Sequence, residues 1–145
     1  MQLYTIGANK KSAKDFFKLL VDAGIEKLLD IRLNNNSQLL GFTKGRDLEY
    51  FCVECHNIKY EHIPLLAPTK DLLKTYQKDK NWPVYERDFE HLLKSRPTLD
   101  AFNKASEGLN NICLLCSESK AIKCHRRLVA EYIANQRKNT SIIHI

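Results

Sequence analysis

Long hydrophobic runs are missing from this chain: none approaches the ~18 apolar residues that a membrane span needs, so a membrane partner is not expected. The first residues, Met1-Gln-Leu-Tyr-Thr-Ile-Gly, lack the basic region and cleavage site of a secretory leader and read as a first strand. Glycine and proline are few, five and four in 145 residues, and nowhere cluster into a linker, a repeat or a low-complexity tract. A single α/β domain spanning 1–145 is therefore expected. Five cysteines, an odd number in a chain this long, argue against a disulfide framework and for a reducing, cytoplasmic setting.

What is present is ordinary for a globular protein, with 43% hydrophobic and 28% charged residues. The net charge of +6 permits a polyanionic partner such as nucleic acid, and it equally fits a lysine-rich surface that keeps a protein soluble.

Hydrophobic periodicity gives the order of elements. Leu3–Ile6 reads as a strand ending at Gly7-Ala8-Asn9. Ser12 with Asp15 resembles a capping box, Phe16, Leu19, Leu20 and Ala23 repeat at helical spacing, and Gly24 is the natural stop. Lys27–Ile31 is a second strand, followed by the polar loop Leu33–Ser37. A helix over 47–56 places Leu48, Phe51, Cys52 and Cys55 on one face. Tyr60–Ile63 is a third strand, stopped by Pro64. Residues 65–108 form a helical insert with helices near 71–77, 85–94 and 98–106, and Trp82-Pro83 marks the turn before the middle one. Ile112–Leu115 is a fourth strand, a polar loop follows, and Leu128, Val129, Tyr132 and Ile133 define the closing helix. Ser141–Ile145 is a last short strand. This order predicts a mostly parallel sheet flanked by helices on both faces, with the helical insert before strand four.

Asn9, Asp30, Arg32, His62, Cys116 and Glu118 all fall at the carboxyl ends of predicted strands, the edge where open α/β sheets bind ligands. Asp30 and Arg32, two apart, face the same way; Arg32 can clamp a phosphate or carboxylate while Asp30 acts as acid/base, or the two can be a local ion pair. Cys116 and Glu118 share that spacing. A thiolate beside cations and a helix start is a candidate nucleophile, and Glu118 a candidate acid/base; a packed cysteine and a backbone-binding glutamate are the structural alternatives. Cys124-His125-Arg126 opens the last helix, where His125 and Arg126 can hold an anion and Cys124 gains reactivity.

Other patterns are weaker. Cys116 and Arg126 are too far apart for a phosphatase-type loop, in which the cysteine and arginine bracket five residues. Cys52-Val-Glu-Cys55-His56 matches a haem-attachment pattern and half a zinc site, but both cysteines lie on the apolar helix face and read as core. A metal held by Cys116, Cys124 and His125 lacks an identifiable fourth ligand, so no metal site is assigned and the cofactor is unknown. Lys44, Arg46, Lys70 and Lys74 can extend a basic rim, and Tyr60, Tyr76, Trp82 and Tyr85 can stack bases or pack.

With these residues assembled, the chain resembles the domain of unknown function 488 family of small bacterial and archaeal proteins. The resemblance runs through Tyr4-Thr-Ile-Gly7, Asp30-Ile-Arg32, Ser37 with Phe42, Tyr60 before Pro64, Leu114-Leu-Cys-Ser-Glu118, Cys124-His-Arg126 and Ile143-His144. Two departures stand out: Ala8-Asn9 where the family usually has His-Ser, and Leu65-Leu66-Ala67 where it often has Leu-Gly-Gly. The resemblance implies an α/β fold and a polar cleft lined by the motif residues, so Gly7, Asn9 and Ser37 join Arg32, His125 and Arg126 as candidate substrate-binding residues. The expected function is an enzyme, a hydrolase or transferase, acting on a phosphate-bearing nucleotide or nucleic acid. Its catalytic candidates are Glu118, Asp30, Cys116 and Cys124. A non-catalytic nucleotide- or nucleic-acid-binding module and a protein-interaction module are the alternatives.

Overall fold

The computed structural model describes residues 1–37 and 40–145. Five strands, β1 (Gln2–Gly7), β2 (Lys27–Asp30), β3 (Lys59–His62), β4 (Asn111–Cys116) and β5 (Ser141–His144), form one sheet in the order β3-β2-β4-β1-β5. Every pairing is parallel, so the expected mostly parallel sheet is wholly parallel. All five strands therefore end on the same edge.

Helix α1 (Ala13–Asp22) follows the predicted signals. The Ser12 hydroxyl accepts the Asp15 N–H at 3.1 Å. At the other end, Gly24 takes φ +62° and donates to the Val21 carbonyl, while Ile25 donates to Leu20. That pair of bonds is the Schellman closure, and it needs the left-handed backbone that glycine adopts without strain.

Alternation along the strands splits the apolar residues between two cores. Leu29, Ile112 and Leu114 pack with α4 (Trp82–Ser95), α5 (Thr98–Ala105) and α6 (His125–Gln136) through Phe89, Phe102, Val129 and Ile133. Leu28, Cys113 and Leu115 pack on the opposite face with Phe16 and Leu20 of α1 and Leu48 of α2 (Gly45–Tyr50). Helices thus cover both faces. Helix α3 (Lys70–Asp79), capped by Thr69, lies over α4 at the edge of the first core.

Three local expectations are corrected. The helix expected over 47–56 is α2 followed by a π-helical turn, Phe51–Cys55. That wider turn rotates the following side chains, so Cys52 is buried but Cys55 is exposed rather than core. Trp82-Pro83 is the first turn of α4 rather than a turn before it; Asn81 caps it, and proline is tolerated there because its missing N–H has no partner to lose. No helix among the described residues is long and apolar enough to cross a membrane.

Candidate functional site

The sheet order creates a crevice at one strand. After β1 and after β2 the chain passes to α1 and α2 on one face, whereas after β4, which lies between them, it passes to α6 on the other. Connections that diverge from neighbouring parallel strands leave a gap at their carboxyl ends. Residues 117–124 bridge that gap. Backbone bonds from Ala8 to the Cys116 carbonyl (3.0 Å) and from Asn9 to that of Ser117 (2.8 Å) hold the start of this loop.

The floor of the crevice carries Cys116, Cys124 and His125, all buried. Cys116 ends β4 and Cys124 is the residue before α6. The Cys124 thiol donates to Cys116 Sγ across 3.1 Å, and His125 Nδ1 lies 3.5 Å from the same sulfur. The His125 Nε2–H donates to the Ile31 carbonyl at 2.9 Å. A carbonyl only accepts, so Nε2 carries a proton, and Nδ1 faces Cys116.

Arg126 staples the loop from beneath. Its guanidinium donates to the carbonyl oxygens of Glu118 and Ser119 and to Thr5 Oγ1, and one nitrogen lies 3.8 Å from Cys124 Sγ. It is 1% exposed, and among the described residues it has no carboxylate partner. Thr5 links it in turn to His144, whose Nδ1 lies 2.6 Å from the Thr5 hydroxyl. Gly7, beside Cys116 in the sheet register, makes this packing possible.

These surroundings separate the thiols. The Cys116 thiol is lowered, first by the hydrogen bond from Cys124, then by the Glu118 backbone N–H, the Arg126 charge and the Ser117 N–H, against the opposing effect of burial. Cys124, as the donor, is pushed up. Cys52 is pushed up to about 12 by burial, and Cys113 is raised by burial as well. Of these four thiols, Cys116 alone is lowered.

Above this floor opens a cleft of about 630 Å³. Tyr76 and Lys80 of the α3 end, Trp82 and Tyr85 of α4, and Lys123 and Glu118 of the loop form its walls, with Arg32 and Asn34 opposite. The three aromatic rings pack edge and face on one another, with centroids 4.9–5.7 Å apart.

The sequence-predicted residues thus fall into two groups. Cys116, Cys124, His125, Glu118 and Arg32 line the cleft; the Glu118 side chain is exposed at its lip. Asp30 does not line it. Its carboxylate is fully buried, paired with Arg32 (2.8 and 2.6 Å) and accepting from the Tyr60 hydroxyl (2.7 Å). Arg32 also donates to the Thr43 carbonyl, so the local ion pair is what forms here. Arg126 lies under the loop rather than in the cleft. Gly7 packs against it, and Asn9 and Ser37 are exposed outside the cleft lining. Of the expected basic rim, Lys44, Arg46, Lys70 and Lys74 do not line the cleft, and Lys80 and Lys123 do. Thr5 escaped sequence reasoning, although a lone hydroxyl between Tyr4 and Ile6 in a buried strand was a signal for it.

Cys116 Sγ, Cys124 Sγ and His125 Nδ1 lie within 4.8 Å of one another, two sulfurs and a nitrogen, one short of the four ligands of a closed zinc site. The arrangement can support nucleophilic thiol chemistry, with a base at the sulfur and a carbonyl orienting the base. No curated protein and no solved structure matches the chain. The family model described as domain of unknown function DUF488 matches residues 12–133, most of the 145-residue chain and the whole cleft floor, and the protein belongs to that family.

Proposed function

We propose that the protein is an enzyme that uses Cys116 as its nucleophile, in hydrolysis or group transfer, on an anionic substrate carrying a ring: a nucleotide, free or within nucleic acid. The observation that carries this reading is a buried guanidinium, Arg126, without a carboxylate partner among the described residues and placed beneath a pair of thiols. A buried positive charge with only neutral partners is poorly compensated, and a thiolate at Cys116 supplies the missing negative charge. His125 Nδ1, 3.5 Å from that sulfur, takes the thiol proton, and the Ile31 carbonyl fixes its ring. Glu118, on the lip of the same cleft, is the candidate general base toward the attacking water or acceptor.

The substrate class rests on the cleft walls. Lys123 supplies positive charge that no salt bridge engages among the described residues, Lys80 stands over the Tyr76 ring (5.8 Å to the centroid), and Trp82, stacked on Tyr85 and approached by Arg127, completes an aromatic wall. A few cations around an aromatic slot suit a phosphate joined to a base. Arg32 adds less, since Asp30 neutralises it.

The test is a thermal-shift panel of inorganic phosphate, nucleotides and short nucleic acids, followed by turnover assays on the ligands that bind. A ligand at ~100 times its Kd adds about 2.7 kcal/mol of stability. Binding by both wild type and Cys116→Ser, with turnover in wild type alone, is the expected result. Equal turnover in both proteins would overturn the nucleophile. Binding without turnover in either would make the chain a binding module, and no binding at all would favour a protein-interaction role.

A further inference from the structure

Beyond the hydrogen bond that lowers Cys116, Cys124 has no assigned role, yet its placement is specific. It occupies the N-cap of α6, where a serine hydroxyl would accept from the helix N–H groups, and its thiol makes no such bond. Its sulfur instead lies 3.1 Å from Cys116 Sγ. Closing that gap to the ~2 Å of a disulfide takes about 1 Å of movement. Cys116 is fixed at the end of an interior strand, whereas Cys124 ends a loop tethered through the Glu118 and Ser119 carbonyls. Both sulfurs line the cleft, and no other cysteine does.

We infer that Cys116 and Cys124 form a redox-active dithiol that reduces small anionic disulfides in the cleft, with Cys116 attacking and Cys124 resolving. This rests on the reading of Cys116 as the nucleophile. In the first exchange, the Cys116 thiolate attacks one sulfur of the substrate, the substrate S–S bond breaks, and one thiolate leaves with the proton that His125 Nδ1 took from Cys116, which frees Nδ1 again. Cys124 then gives its proton to His125 Nδ1 and attacks the Cys116 sulfur of the mixed disulfide. The second substrate thiolate leaves and takes up that proton. The substrate gains the two electrons that the protein thiols lose when the Cys116–Cys124 disulfide forms. The lysines and rings of the cleft suit an aromatic disulfide bearing carboxylates, and 5,5′-dithiobis(2-nitrobenzoate) is such a probe.

The experiment uses Cys55→Ser protein, which removes the exposed thiol that lies outside the site. Treated with the probe, this protein should release roughly two equivalents of thiol per chain, keep no label by intact mass, and recover both thiols on reduction. Adding Cys124→Ser should halve the release and leave one label on Cys116. Label retained on Cys116 without Cys124→Ser, or a mass showing bound zinc between the two sulfurs, would overturn the dithiol while leaving reactivity at Cys116 measurable with iodoacetamide. A Cys116 that reacts with neither reagent would overturn the nucleophile reading itself.

Discussion

The Gly7 backbone lies so close to Arg126 that a Cβ at Gly7 would stand 2.7 Å from the guanidinium Nη1 and 1.7 Å from the Glu118 carbonyl oxygen. The Glu118 carbonyl belongs to the backbone of the loop that follows Cys116, so it cannot swing aside as a side chain does. Gly7→Ala should push this loop off the strand edge at a cost of ~1–3 kcal/mol. A thermal midpoint lower by several degrees and slower alkylation of Cys116 are the expected outcomes; an unchanged midpoint would show that the loop moves freely.

Cys116 should alkylate with iodoacetamide with an inflection below 9.0, the ordinary thiol value from which it is lowered. Cys124→Ala removes the largest cause of that lowering, and Arg126→Gln removes a smaller one. The inflection of rate against pH should therefore move upward in both variants, further in Cys124→Ala. Peptide mapping across the pH series checks the ranking and the site.

Asp30→Asn should be costly although Asp30 does not line the cleft. The change leaves the buried Arg32 guanidinium without its counter-charge, a loss of about 3–5 kcal/mol. Tyr60→Phe removes one hydrogen bond to the same carboxylate and should cost about 1 kcal/mol. Urea unfolding of both variants tests the order. A mild effect for Asp30→Asn with selective loss of turnover would instead make Asp30 an acid/base group.

His144 is lowered from 6.5, mainly by burial and then by the Arg126 charge. The unfolded chain therefore binds the His144 proton more readily than the folded one. Its neutral form is compatible with the fold above pH 6.5, and that contribution is lost as pH falls from 6.5 through the lowered folded value. His144→Asn should flatten the decline of thermal midpoint over this interval relative to wild type.

The elements that are written locally were legible. Ser12 and Gly24 bracket α1 because a cap and a left-handed closure each depend on one residue type at one place. The strand-end positions of Asp30 and Cys116 followed from short apolar runs that stop at a polar loop. Less legible was anything set by partners distant in sequence. Arg126 at a helix start reads as an anion clamp until the fold brings Thr5, Gly7 and Glu118 around it. Asp30 and Arg32 read as a site or as an ion pair until Thr43 and Tyr60 close over them. The π-helical turn at Phe51–Cys55 leaves the apolar spacing of Leu48, Phe51 and Cys52 intact, so only its effect on Cys55 betrays it.

The position of β4 between β1 and β2 also constrains the order in which the chain can fold. Neither early strand pairs with the other, and both bond to residues 111–116. During synthesis, β1 is made 109 residues and β2 85 residues before the shared partner, as the registers Gln2–Asn111 and Lys27–Ile112 give. Closing such long loops precedes any reward from the sheet, which slows assembly. The nascent chain must therefore carry the apolar strand Leu28-Leu29 unpaired on its β4 side until Cys116 has cleared the ribosome, and such an open apolar edge favours aggregation over that interval.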